Sequence, residues 1–203
     1  MVPKGSASIV HGPECSGSMS ASDDRRPLQA RNTMSITMHS ASAPIFTSML
    51  ENLLVWFDKA EAHAVAKKFE SSVYLASRLA PDMLPFTKQI QIACDGAKFA
   101  MARLGDIEAP KFDDSEANLA ELRARVRATI DFIASVPAAK IDGTETKEVT
   151  IPRRAGPMVM QGEAYLKHFA LPNFFFHVTT TYALLRQNGV ELGKMDFLGA
   201  PKT

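Results

Sequence analysis

Four long segments of this 203-residue chain carry apolar residues at three- and four-residue steps, and this spacing constrains the fold more than any other feature of the sequence. Such steps place the apolar side chains on one face of an α-helix, which has about 3.6 residues per turn. The segments cover residues 44–68, 82–105, 113–136 and 172–188. Four amphipathic helices with no parallel-strand alternation predict an all-α fold, a four-helix bundle around one core.

Polar residues and prolines mark where these helices are expected to begin. Asp82 is positioned to cap the second helix, and Asp113 with Glu116 forms a capping-box pattern before the third. Pro172 can open the fourth helix, because a proline in the first turn loses no helical hydrogen bond.

Between residues 137 and 162 the apolar pattern changes from helical to alternating. The segment KEVTIP turns Val149 and Ile151 to one side, RRAG suits a turn, and PMVMQG alternates back. This pattern predicts a small β-hairpin inserted before the last helix of the bundle.

Composition narrows the classes of function. Hydrophobic residues make up 46% of the chain, enough for one sizeable core. The 23 Lys and Arg residues nearly balance the 22 Asp and Glu residues, so the positive excess that nucleic-acid binding uses is missing. We expect no membrane partner, because no apolar run approaches the roughly 20 residues that cross a bilayer. Two cysteines, Cys15 and Cys94, are typical of a reducing compartment, so a cytoplasmic protein is expected.

The first 42 residues are rich in Ser, Gly, Pro and charge. We expect a disordered polar extension over residues 1–42 and the bundle domain over residues 43–203. Met1, Met34 and Met38 are alternative starts of the functional chain. Acidic residues in the extension argue against an organellar presequence, which is typically poor in Asp and Glu.

Polar residues on apolar helix faces are candidates for chemistry, because helical bundles hold their sites in the core. In the fourth helix Asn173, His177, Thr180 and Thr181 share a face, and most of the remaining circumference is apolar. A histidine buried there needs a partner or a ligand. The alternative is a neutral core histidine bonded to a backbone carbonyl, with the threonine hydroxyls bonded to the preceding turn.

Other polar residues on or near the apolar helix faces fit a structural role as well as a role in a site. Gln91, Asp95 and Lys98 form a line along the second helix, which suits an Asp95–Lys98 ion pair at the core boundary as well as a site. His63 lies at the edge of the apolar stripe of the first helix. The arginines of the third helix are expected to be mostly solvated: Arg123, Arg125 and Arg127.

Three segments carry a family resemblance: KAEAHA, RLAPDMLPFTKQIQIACDGAKFAMARL and YLKHFALPNFFFHVTTTYALLRQNGVELGKMDFLG. They resemble the domain of unknown function 1993 family, a branch of the DinB/YfiT-like superfamily of proposed metalloenzymes. The likeness covers about residues 38–199. It implies a DinB-like four-helix bundle, often a homodimer, in agreement with the periodicity, and it supplies no reaction for this branch.

Better-known members of that superfamily hold a divalent metal, commonly zinc or nickel, between a histidine of the second helix and a His-x-x-x-His motif of the last helix. When the ending LLRQNGV is aligned with theirs, His177 takes the place of the second motif histidine and Asn173 that of the first. The ligand of the second helix falls near Gln91. Neutral amides are poor zinc ligands, so the resemblance implies a weakened or lost metal site and favours a pocket without a metal.

The leading hypothesis is a DinB-like enzyme or enzyme-derived pocket for a small molecule, centred on His177 as proton-transfer group and as the one retained metal position. Its predicted acid–base partners are His168, Asp95 and His63, which could also rebuild a metal site. Pro172 is expected to bend or break the chain so that His168 and His177 converge. The residues expected to contact the substrate are Trp56, Gln91, Asn173, Phe176 and Tyr182.

The competing hypothesis is a non-catalytic helical bundle that binds a ligand or dimerises, with structural histidines. A cavity that reaches His177 and other polar side chains would favour the enzyme, and histidines bonded to backbone in a dry core would favour the bundle. Under either hypothesis the expected partners are a small molecule and a second copy of the chain.

Overall fold

The structure, a computed structural model, describes residues 35–200. In chain order its elements are α1 (Ala43–Lys67), a 3₁₀ turn (Ser71–Ala76), α2 (Phe86–Gly105), α3 (Leu119–Ser135), α4 (Ala138–Ile141), β1 (Glu148–Ile151), β2 (Met158–Gln161), α5 (Gly162–Tyr165), a π-helical turn (Leu166–Ala170), α6 (Leu171–Gln187) and α7 (Lys194–Leu198). The predicted fold class, mainly helical with a small antiparallel hairpin, is confirmed. None of the helices within residues 35–200 is long and apolar enough to cross a membrane.

The polar extension predicted over residues 1–42 lies outside the described residues as far as residue 34. Just before α1, Met38 and Ser42 are buried, and the Ser42 hydroxyl donates to the Met38 carbonyl at 2.6 Å. The disorder of the extension and the domain boundary at residue 43 stay predictions.

Four long helices enclose the core. α1 packs against α3 and α6, and α2 packs against the same two helices. The predicted apolar stripe of α1 points inward, with Phe46, Leu50 and Leu53 fully buried. The Phe46 ring meets the Phe174 ring of α6 edge to face at 4.9 Å, a favoured geometry for aromatic pairs. The spacing along α1 therefore determined which of its faces joins the core.

Two predicted helix starts are wrong. α2 begins at Phe86 after Pro85 rather than at Asp82, because a proline disfavours helical backbone in the residue before it. α3 begins at Leu119, where the Asn118 side chain accepts a hydrogen bond from the Glu121 amide. The capping-box pattern at residues 113–116 does not begin a helix, because the Glu116 carboxylate accepts a hydrogen bond from Arg125 of α3.

The hairpin is confirmed. β1 and β2 pair antiparallel, with Val149 opposite Met160 and Ile151 opposite Met158. Val149 and Ile151 are buried, as their alternation predicted, whereas Val159 on the partner strand is exposed. A two-stranded sheet with one buried face depends on the helices for its stability.

The last long helix is continuous through Pro172, so the predicted bend or break between His168 and His177 is wrong. The backbone is right-handed helical from α5 through the π-helical turn into α6, and the Leu171 amide donates to the Leu166 carbonyl, five residues back. This wider turn gives room to a proline that has no amide hydrogen and would crowd an α-helical carbonyl. The two histidines, nine residues apart, therefore lie about half a turn apart on one helix.

Gly162 is expected to be indispensable at the junction of β2 and α5. A Cβ added there would lie 2.0 Å from the Thr144 carbonyl oxygen, which is backbone and cannot rotate away. We predict that Gly162→Ala lowers the free energy of unfolding by about 2–3 kcal/mol, as overpacking does. Gly96→Ala is the control, because its Cβ would only touch the Asn173 amide at 3.4 Å. Equal denaturant midpoints for the two variants would contradict the prediction.

Candidate functional site

The candidate site is centred on a hydrogen bond between His177 of α6 and Gln89 of α2. The Gln89 amide nitrogen donates to the Leu84 carbonyl at 2.9 Å, which turns its Oε1 toward His177. His177 Nδ1 lies 2.7 Å from that oxygen. An amide oxygen only accepts, so Nδ1 carries the proton and donates it. The imidazole is therefore held in one tautomer by a chain of two hydrogen bonds.

The other ring nitrogen, His177 Nε2, is available to a ligand. No hydrogen bond joins it to another residue of the described part of the chain. Within that part the fully buried side-chain atoms without a partner are Gln91 Oε1 and Arg125 Nε, so Nε2 belongs to the exposed 8% of His177. Burial lowers the pKa of His177, so the ring is neutral at neutral pH and Nε2 holds a lone pair.

A shallow groove of about 370 Å³ runs along α6 next to Phe176, and His177 itself is not among the residues that line it. Phe176, predicted to contact the substrate, is 55% exposed there and meets the His177 ring edge to face at 5.2 Å. None of the residues that line the groove is charged: Leu79, Phe175, Phe176, Thr179, Thr180 and Ala183. The groove therefore suits a neutral, largely apolar molecule.

The structure does not bring the predicted acid–base partners together with His177. His168 is exposed on the π-helical turn. His63 Nδ1 lies 2.7 Å from the Tyr74 hydroxyl. Asp95 forms ion pairs with Lys98 of its own helix and with Arg125 of α3. The hydrogen-bond partner that His177 does have is Gln89, which the sequence reasoning missed.

Three further residues that were predicted to contact the substrate, Trp56, Tyr182 and Asn173, do not line the groove along α6. Trp56 is fully buried, and its indole nitrogen donates to the Asp196 carbonyl at 3.0 Å. Its ring centroid lies 5.6 Å from that of Tyr182, and its ring stacks on Phe197 with the centroids 5.8 Å apart. These aromatic residues therefore pack α7 against α1 and α6. Asn173 is half-buried beside Gly96 of α2.

The fifth predicted contact, Gln91, belongs to a charged network between α2 and α3 that we call the Arg125 cluster. Its central guanidinium is only 4% exposed, so the prediction that Arg125 is solvated is wrong. Arg125 donates to Asp114 and Glu116 at 2.9 Å and to Asp95 at 3.0 Å. Gln91 donates to the second oxygen of Glu116 at 2.6 Å.

Two carboxylates of the Arg125 cluster, Asp114 and Glu116, have lowered pKa values and are ionised at neutral pH. The hydrogen bond from Lys88 is the main reason why the pKa of Asp114 lies below its ordinary value. Burial works to raise the pKa of Glu116, but hydrogen bonds from Arg125 and Gln91 outweigh it and the pKa is lowered. Asp95 and Asp114 are partly exposed, so Glu116 is the partner that loss of Arg125 would leave poorly solvated.

Lys98 extends the cluster. Its ammonium is buried, lies 2.9 Å from Asp95, and sits over the rings of Phe99 and Phe112 at 4.5 and 4.3 Å. The Asp95–Lys98 pair that the helical spacing suggested is therefore present, with cation–π contacts in addition. Nearby, burial raises the pKa of Cys94 to about 12, which keeps this thiol protonated.

The sequence did contain signals for the missed residues. Arg125 stands three residues after Leu122 and four before Thr129, both buried, so it lies on the core-facing stripe of α3. Gln89 precedes Ala93 and Gly96 at steps of four and three, a line of small residues that allows α6 to approach α2 closely. Polar residues on such lines are expected to be buried and paired.

A divalent metal does not fit the positions that the superfamily resemblance assigns to it. Gln91 is turned toward Glu116, Asn173 offers a neutral amide, and His177 binds Gln89 through Nδ1. Two amides and one imidazole are a poor donor set for zinc or nickel. In residues 35–200 no group of three or more His, Cys, Asp or Glu side chains is arranged to hold a metal ion.

Comparison with known proteins agrees with the helical fold. Residues 38–198 match the profile of the family described as Domain of unknown function (DUF1993). The chain belongs to the DUF1993 family. This DUF1993 protein is also similar to a DinB family member protein from Shewanella denitrificans, known from a crystal structure at 1.83 Å resolution. The two are 42% identical with a TM-score of 0.77, over 81% of this chain and 93% of the other. Comparison with curated proteins gives no match.

The Arg125 cluster predicts a pH-dependent effect of one substitution. Arg125→Met should cost about 1–3 kcal/mol of unfolding free energy at neutral pH, because the nearly buried Glu116 loses its cation. Asp114 and Asp95 are partly exposed and keep their ion pairs with Lys88 and Lys98. Carboxyl groups with lowered pKa values stabilise the fold above their ordinary pKa, and this contribution is lost as the pH falls through the lowered values. The difference from wild type should therefore shrink in acid, as measured by urea unfolding across pH.

Arg127→Met is the matched control, because Arg127 is exposed on the same helix. Arg125→Lys should fall between the two, since lysine keeps the charge and loses the fork of donors. If Arg125→Met and Arg127→Met were equally stable, or if the loss were the same at pH 3 and pH 7, the cluster would not have this role.

Proposed function

We propose that the protein is a DinB-like enzyme, or a pocket derived from one, in which His177 accepts a proton from a small neutral molecule. The observation that carries the proposal is the chain from the Leu84 carbonyl through Gln89 to His177, which leaves Nε2 with a free lone pair. A general base has to be in its unprotonated form at the working pH. The lowered pKa of His177 meets this condition.

The groove along α6 supports the choice of ligand. It is lined by apolar and hydroxyl side chains, and its aromatic wall, Phe175 and Phe176, adjoins His177 in sequence. An aromatic ring is favoured there, because it can pack edge to face on the phenylalanines. A hydroxyl on that ring would offer its proton to Nε2. The ligand we propose is therefore a neutral aromatic molecule with a weakly acidic hydroxyl.

A non-catalytic bundle is the second candidate, and the threonines favour it. Thr180 donates to the Phe176 carbonyl at 2.7 Å, and Thr181 donates to the His177 carbonyl at 2.9 Å. Both hydroxyls are therefore satisfied by the preceding turn of α6, as expected for structural residues. In this case His177 and Gln89 join α2 to α6 and take no part in chemistry.

The proposal is tested with 4-nitrophenol, whose visible absorbance reports the loss of its proton. Near the pH where free 4-nitrophenol is half ionised, addition of the protein should give a saturable fall in phenolate absorbance, because the uncharged groove and the neutral Nε2 acceptor bind the protonated phenol. His177→Gln should abolish the fall, because it removes Nε2 as the acceptor of the phenol proton. His168→Gln, at the exposed histidine, should leave it unchanged. Phe176→Ala should weaken binding about tenfold, equivalent to about 1.4 kcal/mol of lost aromatic packing.

Thermal unfolding of the same variants separates the two candidates. A His177→Gln protein that melts earlier, while neither wild type nor variant changes the absorbance, would support the non-catalytic bundle. A saturable fall of the same size in His177→Gln would show that the phenol proton is bound by another group and would refute the proposal.

We also propose that the protein acts as a homodimer in the cytoplasm. The superfamily resemblance supports the dimer, and the few cysteines support a reducing compartment. One chain has a mass of 22.2 kDa, and light scattering on the purified full chain should give twice this mass. A mass of one chain at micromolar concentration would contradict the dimer.

A further inference from the structure

A second cavity, apart from the groove beside His177, lies between the C-terminal half of α1 and the loop that follows α6. Its volume is about 490 Å³, within the range of small-molecule sites. Lys59, His63 and Lys67 line it from α1, and Gly189 and Glu191 line it from the loop. Ala62, on the same face of α1, also lines the cavity.

His63 is held at this cavity by a hydrogen bond with Tyr74. Its Nδ1 lies 2.7 Å from the Tyr74 hydroxyl, which also lies 3.4 Å from the Ala60 carbonyl. Burial raises the pKa of Tyr74, so the phenol keeps its proton. Because Nδ1 is used by Tyr74, the other ring nitrogen, Nε2, is left to hydrogen-bond to a ligand.

Gly189 lies next to His63 Nε2 on the loop side. A Cβ on this residue would lie 3.4 Å from Nε2. Its φ of +89° is also in the left-handed region that favours glycine. The end of α6 therefore approaches the imidazole with backbone alone.

The charges around the cavity are of both signs. Lys59 is already matched, since its ammonium lies 2.6 Å from Asp196 and 3.3 Å from the Glu191 carbonyl. The Lys67 ammonium and the Glu191 carboxylate are exposed, and neither has an ion-pair partner among residues 35–200. One positive group, one negative group and the Nε2 atom of His63 thus line the same cavity.

We propose that this cavity binds a small zwitterion of the α-amino acid class. Its carboxylate would pair with Lys67 and its ammonium with Glu191, and a hydroxyl on its side chain, which can donate or accept, would hydrogen-bond to His63 Nε2. An anion or a cation alone would satisfy one of the two charged side chains and be repelled by the other. A zwitterion satisfies both.

The probe is L-serine, which carries both charges and a hydroxyl, measured by calorimetry and by the NMR signals of the His63 ring. L-Alanine should bind more weakly than L-serine, because it lacks the hydroxyl that bonds to Nε2. Propionate and ethanolamine, each with one of the two charges, should bind at least about tenfold more weakly than L-serine, since each loses one ion pair.

Matched variants test the assignment. Lys67→Gln and Glu191→Gln should each weaken L-serine binding about tenfold, equivalent to the loss of about 1.4 kcal/mol. Lys140→Gln, at an exposed lysine of α4, should leave binding unchanged. No saturable L-serine binding at millimolar concentration would overturn the proposal. Equal binding of L-serine and propionate, or wild-type affinity in Glu191→Gln, would overturn it as well.

Discussion

The burial of helix α2 between α3 and α6 governs where the polar groups of this protein are placed. Gln89 faces α6 and Gln91 faces the α3 side, and both side chains are almost completely buried. A buried polar group without a hydrogen bond costs several kcal/mol relative to water. The two sides of α2 therefore each carry a polar network, with His177 on one side and Arg125 on the other.

This division keeps the ionisable groups predicted for one site apart from one another. The carboxylates that could have assisted His177 are held by Arg125, and His63 is held by Tyr74 beside its own cavity. What remains at His177 is a neutral imidazole with an amide behind it and an uncharged groove beside it. Membership of the DUF1993 family and likeness to a DinB family member describe the fold and leave the chemistry to these local surroundings.

Much of the backbone was predictable from the sequence, and the exceptions have local physical causes. The extent of α1 and the inward side chains of β1 followed from apolar periods of three to four and of two residues. The start of α2 was misplaced because Pro85 restricts the residue before it. Pro172 was expected to interrupt the last helix, but a single π-helical turn accommodates it, and no propensity rule indicated that turn.

The candidate site was predictable only in its central residue. The sequence by itself determined that His177 lies on an inward face of a nearly apolar helix, because helical periodicity fixes the direction of each side chain relative to its own helix axis. Only the tertiary structure decided that Gln89 is its partner, that Gln91 and Asp95 bind toward Arg125, and that His168 is exposed. The reason is that partner choice depends on the offset and rotation of one helix against another, which arise from packing the whole core.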